Sequence, residues 1–244
     1  MTASPADRLP EAVLRPVRGH HAFEACVEQL ATAIRLGVYP LGTVLPAERE
    51  LAERLAVSRA TLREAMAALR EAGLVETTRG RGGGTVVTLK PRLPNARKAA
   101  RLTAAQRRDW FDALEFRRIV EPGAAYLAAR TDLTESQREQ LETALAAVTD
   151  ARRPAAHRQA DSRFHLTVAT LADSPRVVEA VTSVQATLHE MLLAIPVLGR
   201  NIGHSDRQHA AVAKAILAQD AERARRVMEE HCDDTAALLR GLVG

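Results

Sequence analysis

The sequence predicts a mainly α-helical protein of two domains: a small N-terminal domain that ends in a β-hairpin, and an all-α C-terminal domain of about six helices. Three observations predict this fold class. Ala and Leu dominate long stretches of the 244 residues, and both favour helix. Residues 74–89 carry a hairpin pattern, in which two short apolar runs flank a glycine-rich segment. From Asp109 almost to the end, apolar positions recur at helical spacing.

The N-terminal elements begin after residues 1–19, which contain three prolines and are expected to form a mobile arm. Start and stop signals for helices then come from Gly37, from Ser58 as an N-cap and from Gly73 as a closing residue. The predicted helices cover 20–36, 46–55 and 58–72, and the predicted strands cover 74–77 and 85–89. Helix, helix, short turn, helix and hairpin is the order of a winged helix-turn-helix, which we assign to residues 20–89.

The C-terminal part follows a predicted linker over residues 90–107, which carries two prolines and six Lys or Arg. Residues 108–241 show neither a strand pattern nor an internal repeat, and we expect a single all-helical domain. Thr134, Ser174 and Asp220 lie where caps or turns are expected. The predicted helices cover 109–130, 134–151, 155–172, 175–195, 204–219 and 221–240.

Charge is unevenly distributed along the chain. Residues 1–100 carry 15 Lys and Arg against 10 Asp and Glu, whereas residues 101–244 carry 19 against 20. The basic part is therefore the candidate for contact with a polyanion. Its aromatic residues are limited to Phe23 and Tyr39, which disfavours RNA binding by base stacking.

The sequence offers no sign of export or membrane insertion. No uncharged apolar run reaches 18 residues, and residues 1–18 lack the apolar segment of a signal peptide. Cys26 and Cys232 lie far apart, which favours two free thiols over a disulfide. We therefore expect a cytoplasmic protein.

A DNA-binding pattern extends from Leu45, as LPAERELAERLAVSRATLREAMAALREAGLV, and continues through the segment RGRG that begins at Arg79. It closely resembles the GntR family of bacterial regulators, and the resemblance covers residues 23–88. It implies a transcriptional regulator, more often a repressor, that is not an enzyme. We expect a homodimer on a short palindromic operator in double-stranded DNA, because two-fold symmetry doubles the contacts that one recognition helix makes.

The spacing of apolar residues in this pattern separates a core from an outward face. The predicted core residues are Leu51, Leu55, Val57, Leu62, Met66 and Leu69. The candidate DNA-binding residues are Ser58, Arg59, Thr61 and Arg63 at the start of the third helix, Arg49 before it, and Arg79, Gly80 and Arg81 at the wing tip. The alternative is a solvated helix face on which the arginines pair with Glu48, Glu53 and Glu64.

The C-terminal half carries three further patterns: LEFRRIVEPGAA from Leu114, DSRFH from Asp161 to His165, and HAAVAKAI from His209, followed by His231. They resemble the FCD effector domain, the sensor of the FadR branch of the same family. The resemblance implies a metal whose remaining positions receive a carboxylate of an effector.

Four residues are the candidate metal ligands: Asp161, His165, His209 and His231. The first two are four residues apart and share a helix face, whereas His209 and His231 lie eleven residues on either side of the predicted break at Asp220. An antiparallel pair of helices would bring these two histidines to the same height. Three imidazoles and one carboxylate suit Zn, Ni, Fe or Mn.

Arg117 matches an arginine of the family's first FCD helix and is the candidate contact for an anionic effector. A solvent-exposed pair with Glu121, one turn on, is the alternative. The candidate ligand histidines could likewise be ordinary helix residues. The remaining histidines are given no role in the site: His20, His21, His157, His189 and His204. Of these, His189 lies in the middle of a predicted helix and could line the effector pocket.

Two other functions stay open at this point. The metal itself could be the signal, in which case metal alone would release DNA. A metal-dependent hydrolase is the second, because Asp and His sites with open positions activate water. A spare Glu or His close to the metal would favour the hydrolase.

Overall fold

The structure, a computed structural model, describes residues 8–17, 22–78, 83–90, 102–196 and 198–243. Within these residues the chain forms ten α-helices and one antiparallel pair of strands, which confirms the mainly α-helical fold class. It divides into two compact units, Met1–Pro91 and Arg92–Gly244. No described helix combines the length and the apolar character that crossing a lipid bilayer requires.

The N-terminal unit contains the predicted winged helix-turn-helix, preceded by one further short helix. Its elements are α1 (Arg8–Val13), α2 (Ala22–Arg35), α3 (Glu48–Leu55), α4 (Arg59–Glu71), β1 (Val75–Thr78) and β2 (Gly84–Val87). All but one of the predicted core residues are buried, and the exception, Val57, is half-buried. The core also takes Leu30 and Ile34 from α2, which lie one helical turn apart on its buried face.

The turn between α3 and α4 is tight because Ala56 adopts a left-handed conformation, with φ of 52°. Ser58 then caps α4, since its hydroxyl accepts a hydrogen bond from the backbone N–H of Thr61. At the other end, Gly73 has φ of 71°, which a residue with a side chain rarely adopts. These local signals fix where α4 begins and ends.

The hairpin pairs β1 with β2 in antiparallel register, from Val75 opposite Val87 to Thr78 opposite Gly84. The segment before α3 also pairs with β2, because Val44 forms a bridge with Val86. The sequence pattern predicts no strand before α3.

The expectation of a mobile arm over residues 1–19 is wrong for its described part. Residues 8–13 form α1, Leu14 is buried, and the backbone N–H of Val17 donates to the carbonyl oxygen of Leu55. Pro10 lies early in this helix, where a missing N–H costs little. The prolines therefore do not exclude a helix here.

The C-terminal unit is all-α and has the expected six helices: α5 (Ala104–Arg130), α6 (Glu135–Asp150), α7 (Pro154–Leu171), α8 (Pro175–Ala194), α9 (Gly199–Leu217) and α10 (Ala221–Val243). Thr103 and Gln106 cap α5 reciprocally, so the last residues of the predicted linker are helical. Helix α9 begins at Gly199, earlier than the predicted start at residue 204. The prediction was late because the first turn contains Gly and Asn residues, which favour a loop in isolation.

Helix α5 is central to this unit and packs against α7, α8, α9 and α10. A large apolar core lies around the second half of α5, and a smaller one includes Leu114, Leu188 and Leu239. Buried polar residues lie on the same helices as these cores, and among them are Arg117, Glu121, His165, His209 and His231.

Candidate DNA interface and candidate metal centre

Four of the predicted DNA-binding residues lie at the N-terminal end of α4. Ser58, Arg59 and Arg63 are exposed and Thr61 is half-buried, whereas Leu62, on the opposite face, is buried. The Ser58 and Thr61 hydroxyls lie 2.8 Å apart and take part in the helix cap. The first turn of α4 thus presents two guanidinium groups beside a capped N-terminus, which is a favourable place for anions.

Two of the arginines form the ion pairs that the alternative interpretation anticipates. Arg63 Nε lies 3.2 Å from Glu48 Oε2, and Arg49 Nη1 lies 2.7 Å from Glu53 Oε1. Both arginine side chains are more than half exposed, and exposed pairs contribute only about 0–1 kcal/mol. Such pairs can exchange for contacts with phosphate or bases at little cost. Arg79, Gly80 and Arg81 lie outside the described residues.

Three of the four candidate metal ligands form a compact buried group. His165, His209 and His231 each offer one ring nitrogen, and these nitrogens all lie within 4.8 Å of one another. The three residues come from α7, α9 and α10, and their ring centroids are 4.6–5.2 Å apart. The break before α10 therefore brings His209 and His231 together, as their spacing predicts.

Asp161 lies beside this group. Its Oδ1 is 3.4 Å from Nε2 of His209, and its side chain is 13% exposed. It precedes His165 by one helical turn on α7, so both can face the same point.

The chemistry of these residues fits a divalent transition metal. Both ring nitrogens of His165 and of His209, and Nε2 of His231, are buried and make no hydrogen bond to a described residue. Two nitrogens bound at about 2.1 Å to one tetrahedral ion lie about 3.4 Å apart, so nitrogens that now lie within 4.8 Å of one another would have to approach by at most about 1.4 Å to share an ion. Burial lowers the pKa of His209 to about 3 and that of His231 well below its usual value. Both rings are thus neutral at neutral pH, as metal ligands must be.

Two of the rings have a polar side-chain oxygen close to Nδ1. Gln208 Oε1 lies 3.1 Å from Nδ1 of His231, and Glu121 Oε2 lies 3.0 Å from Nδ1 of His165. Partners of this kind orient a ligating imidazole and fix its tautomer.

Arg117 pairs with Glu121, as the alternative interpretation expects. That interpretation places the pair in solvent, whereas in the structure the pair is buried. Nε of Arg117 donates to Oε2 of Glu121 at 2.9 Å, and the two side chains are 1% and 2% exposed. Burial alone would raise the pKa of Glu121, but Arg117 and His165 lower it well below its usual range. The two Nη atoms of Arg117 are buried and make no hydrogen bond within the described part of the chain. They remain available to an anion.

A cavity of about 110 Å³ lies where five helices of the C-terminal unit meet. Its polar lining includes Arg117, Asp161 and His231, which connects the candidate metal site to the candidate effector contact. One wall is apolar and consists of Leu188, Leu192, Ile195 and Leu238. The arrangement suits a small ligand with one anionic end and one apolar side.

Three residues that line the cavity were not identified from the sequence. Arg158 has a buried Nη1 without a hydrogen bond to a described residue, and it lies on α7 three residues before Asp161, a spacing that could have revealed it. His157 and His204 also line the cavity and contact Asp206 and Asp234 at 2.9 and 2.8 Å.

Two family models match the chain, and they agree with both resemblances. The model for bacterial regulatory proteins of the gntR family matches residues 23–87, and the model for the FCD domain matches residues 112–234. A protein of Mycobacterium gastri named as the HTH-type transcriptional regulator RmpR is 34% identical over 219 residues, which are 85% of this chain and 76% of that protein.

A protein of Escherichia coli strain K12 named as an L-lactate dehydrogenase operon regulatory protein is 34% identical over 202 residues, covering 78% of this chain and 75% of that protein. Among solved structures, E. coli McbR/YncC has the same fold, with a TM-score of 0.51 at 16% identity over 93% of this chain and 100% of that chain. The chain belongs to the GntR family of bacterial regulatory proteins and carries an FCD domain, and it is therefore a DNA-binding transcriptional regulator and not an enzyme.

Proposed function

We propose that the C-terminal unit binds a divalent transition metal, Zn, Ni, Fe or Mn, through Asp161, His165, His209 and His231, and that a small carboxylate at this site alters operator binding. The observation that carries the proposal is the group of three buried imidazoles, each with at least one ring nitrogen that makes no hydrogen bond to a described residue. A bound ion would offer open coordination positions to a carboxylate. Arg117 would donate its two Nη groups to the same anion.

The cavity limits the size of the effector. Its volume of about 110 Å³ is smaller than the roughly 150 Å³ of a cavity that accepts benzene, so we expect a molecule of only a few carbon atoms. The relative named for the L-lactate dehydrogenase operon makes L-lactate the first carboxylate to test. Repression that the effector relieves is the proposed mode of action.

The test begins with metal analysis of gently purified protein, which should contain about one transition-metal ion per chain. A fluorescent operator complex is then titrated with L-lactate and with related small carboxylates. Release of DNA by one carboxylate from the metal-loaded protein, but not from the chelator-treated protein, is expected. Release by metal alone would favour the metal-sensor alternative, and protein that neither retains nor binds metal would refute the proposal. The hydrolase alternative is excluded by the family.

We further propose that the protein acts in the cytoplasm as a homodimer with one recognition helix, α4, on each half of a palindromic operator. A second copy would cover an apolar face of α5, where Phe116, Ile119 and Leu127 are exposed. Light scattering on the operator complex should give two chains per DNA duplex.

Arg59→Ala and Arg63→Ala are each expected to weaken specific operator binding by about 1–3 kcal/mol, because arginine donors suit the guanine edge in the major groove. The loss in Kd is measured by fluorescence anisotropy against the operator and an unrelated duplex. Arg70→Ala is the matched control, since it removes the same charge from the exposed surface at the other end of α4. Equal losses for all three variants on both duplexes would show that only bulk charge matters.

A further inference from the structure

Glu121 is a buried carboxylate to which the proposed function gives no role. It lies on α5, next to the candidate metal centre but outside the group of three histidines. An ionised group in this position requires compensation, because an isolated buried charge is strongly unfavourable.

The two oxygens of Glu121 are held from different sides. Oε1 accepts a hydrogen bond from Gln185 Nε2 at 2.5 Å, and Oε2 accepts one from Arg117 Nε at 2.9 Å. Cys232 contributes a weaker contact, with Sγ at 3.6 Å from Oε2. Side chains from α5, α8 and α10 thus fix the carboxylate in one orientation.

The same Oε2 atom lies 3.0 Å from Nδ1 of His165. Neither ring nitrogen of His165 makes a hydrogen bond to a described residue. A proton on Nδ1 turned toward this carboxylate would leave the lone pair of the ring on Nε2, where it can bind an ion. A carboxylate behind a ligating imidazole both sets the tautomer and makes the ring more basic.

We infer that Glu121 is a positioning residue for the metal centre: it holds His165 in the tautomer and orientation that binds the ion, while Arg117 and Gln185 hold Glu121 itself. The inference rests on the proposed metal site. It adds a residue on α5 to a site whose ligands lie on α7, α9 and α10. It also means that one atom, Oε2 of Glu121, contacts both Arg117, the proposed effector contact, and His165, a proposed metal ligand.

The test is the affinity of the full-length protein for Zn²⁺ alone, measured by competition with a chromophoric chelator. Glu121→Gln keeps the shape of the side chain but replaces the carboxylate, and it should weaken Zn²⁺ binding by about 10–100-fold. Glu115→Gln is the matched control, since it makes the same change on α5 at an exposed carboxylate that pairs with Arg240 and with no candidate ligand; its Zn²⁺ affinity should stay within about threefold of the parent.

A second variant distinguishes a role of Glu121 in metal binding from a purely structural role. Glu121→Gln leaves the Arg117 guanidinium without its anionic partner, whereas the double variant Arg117→Met/Glu121→Gln removes both charges. We expect the double variant to regain thermal stability without metal but to keep the weakened Zn²⁺ affinity. Recovery of parental Zn²⁺ affinity in the double variant, or unchanged affinity in Glu121→Gln, would overturn the inference. A parent protein that binds no Zn²⁺ would instead refute the proposed metal site itself.

Discussion

Replacing His209 and His231 by alanine is expected to abolish metal binding and the response to effector while operator binding stays within about threefold of the parent. The two residues supply two of the three clustered imidazoles, from α9 and α10, and neither belongs to the unit that contains α4. At a free metal concentration of about 100 times Kd, binding stabilises the parent by about 2.7 kcal/mol. For a chain of this size that is roughly 5–11 °C in Tm, and the double variant should show no such rise.

The measurement compares Tm with and without added metal, followed by operator titrations with and without carboxylate. His157→Ala/His204→Ala is the matched control, because it also removes two histidines that line the cavity but lie outside the group of three. The control should keep its metal-dependent rise in Tm. A parental rise in the His209 and His231 variant, or release of its operator by effector, would contradict the assignment of the ligands.

Replacing Arg117 by methionine is expected to lower the free energy of unfolding by about 3–5 kcal/mol, the usual cost of removing one partner of a buried ion pair. The reason is that Glu121 would keep its place in a water-excluded site, with both side chains of the present pair at most 2% exposed. Urea unfolding of the metal-free protein measures the difference.

The double variant Arg117→Met/Glu121→Gln is the control for this stability effect. Removing both charges often costs little, because the desolvation penalty of the pair disappears with its attraction. The double variant should therefore recover most of the lost stability. Equal destabilisation of the single and double variants would show that the loss comes from packing and not from the unpaired carboxylate.

Local signals in the sequence were sufficient to predict most of the fold. The Ser58 cap and the closing Gly73 determine α4 because both act within a few residues through backbone geometry. Two helices were misread at their starts: Pro10 lies inside a helix, and residues 104–108, before the predicted start at Asp109, already belong to α5. Burial of Val13 and Leu14 overrides a composition that is typical of loops around α1, whereas α5 begins early at the capping box of Thr103 and Gln106.

Part of the arrangement of the candidate metal site could also be predicted from the sequence. The spacing of His209 and His231 around Asp220 predicts their approach, because a helix rises equally on both sides of a turn. That His165 joins them depends on how α7 packs on this pair of helices, and helical periodicity carries no information on such packing.

The sequence by itself determined the family and the order of the elements, and it provided the residues of the candidate DNA interface and of the candidate metal site, because each of these depends on local patterns. Only the tertiary structure decided that Arg117 and Glu121 are buried together, that Arg158 lines the same cavity, and that one oxygen of Glu121 contacts both Arg117 and His165. Arg117 and Glu121 lie one helical turn apart on α5, and the sequence alone predicts this spacing. In solvent such a pair would contribute little to stability. The other helices of the unit exclude water from the pair. Because of this burial, removing one partner is expected to cost far more stability than it would in solvent.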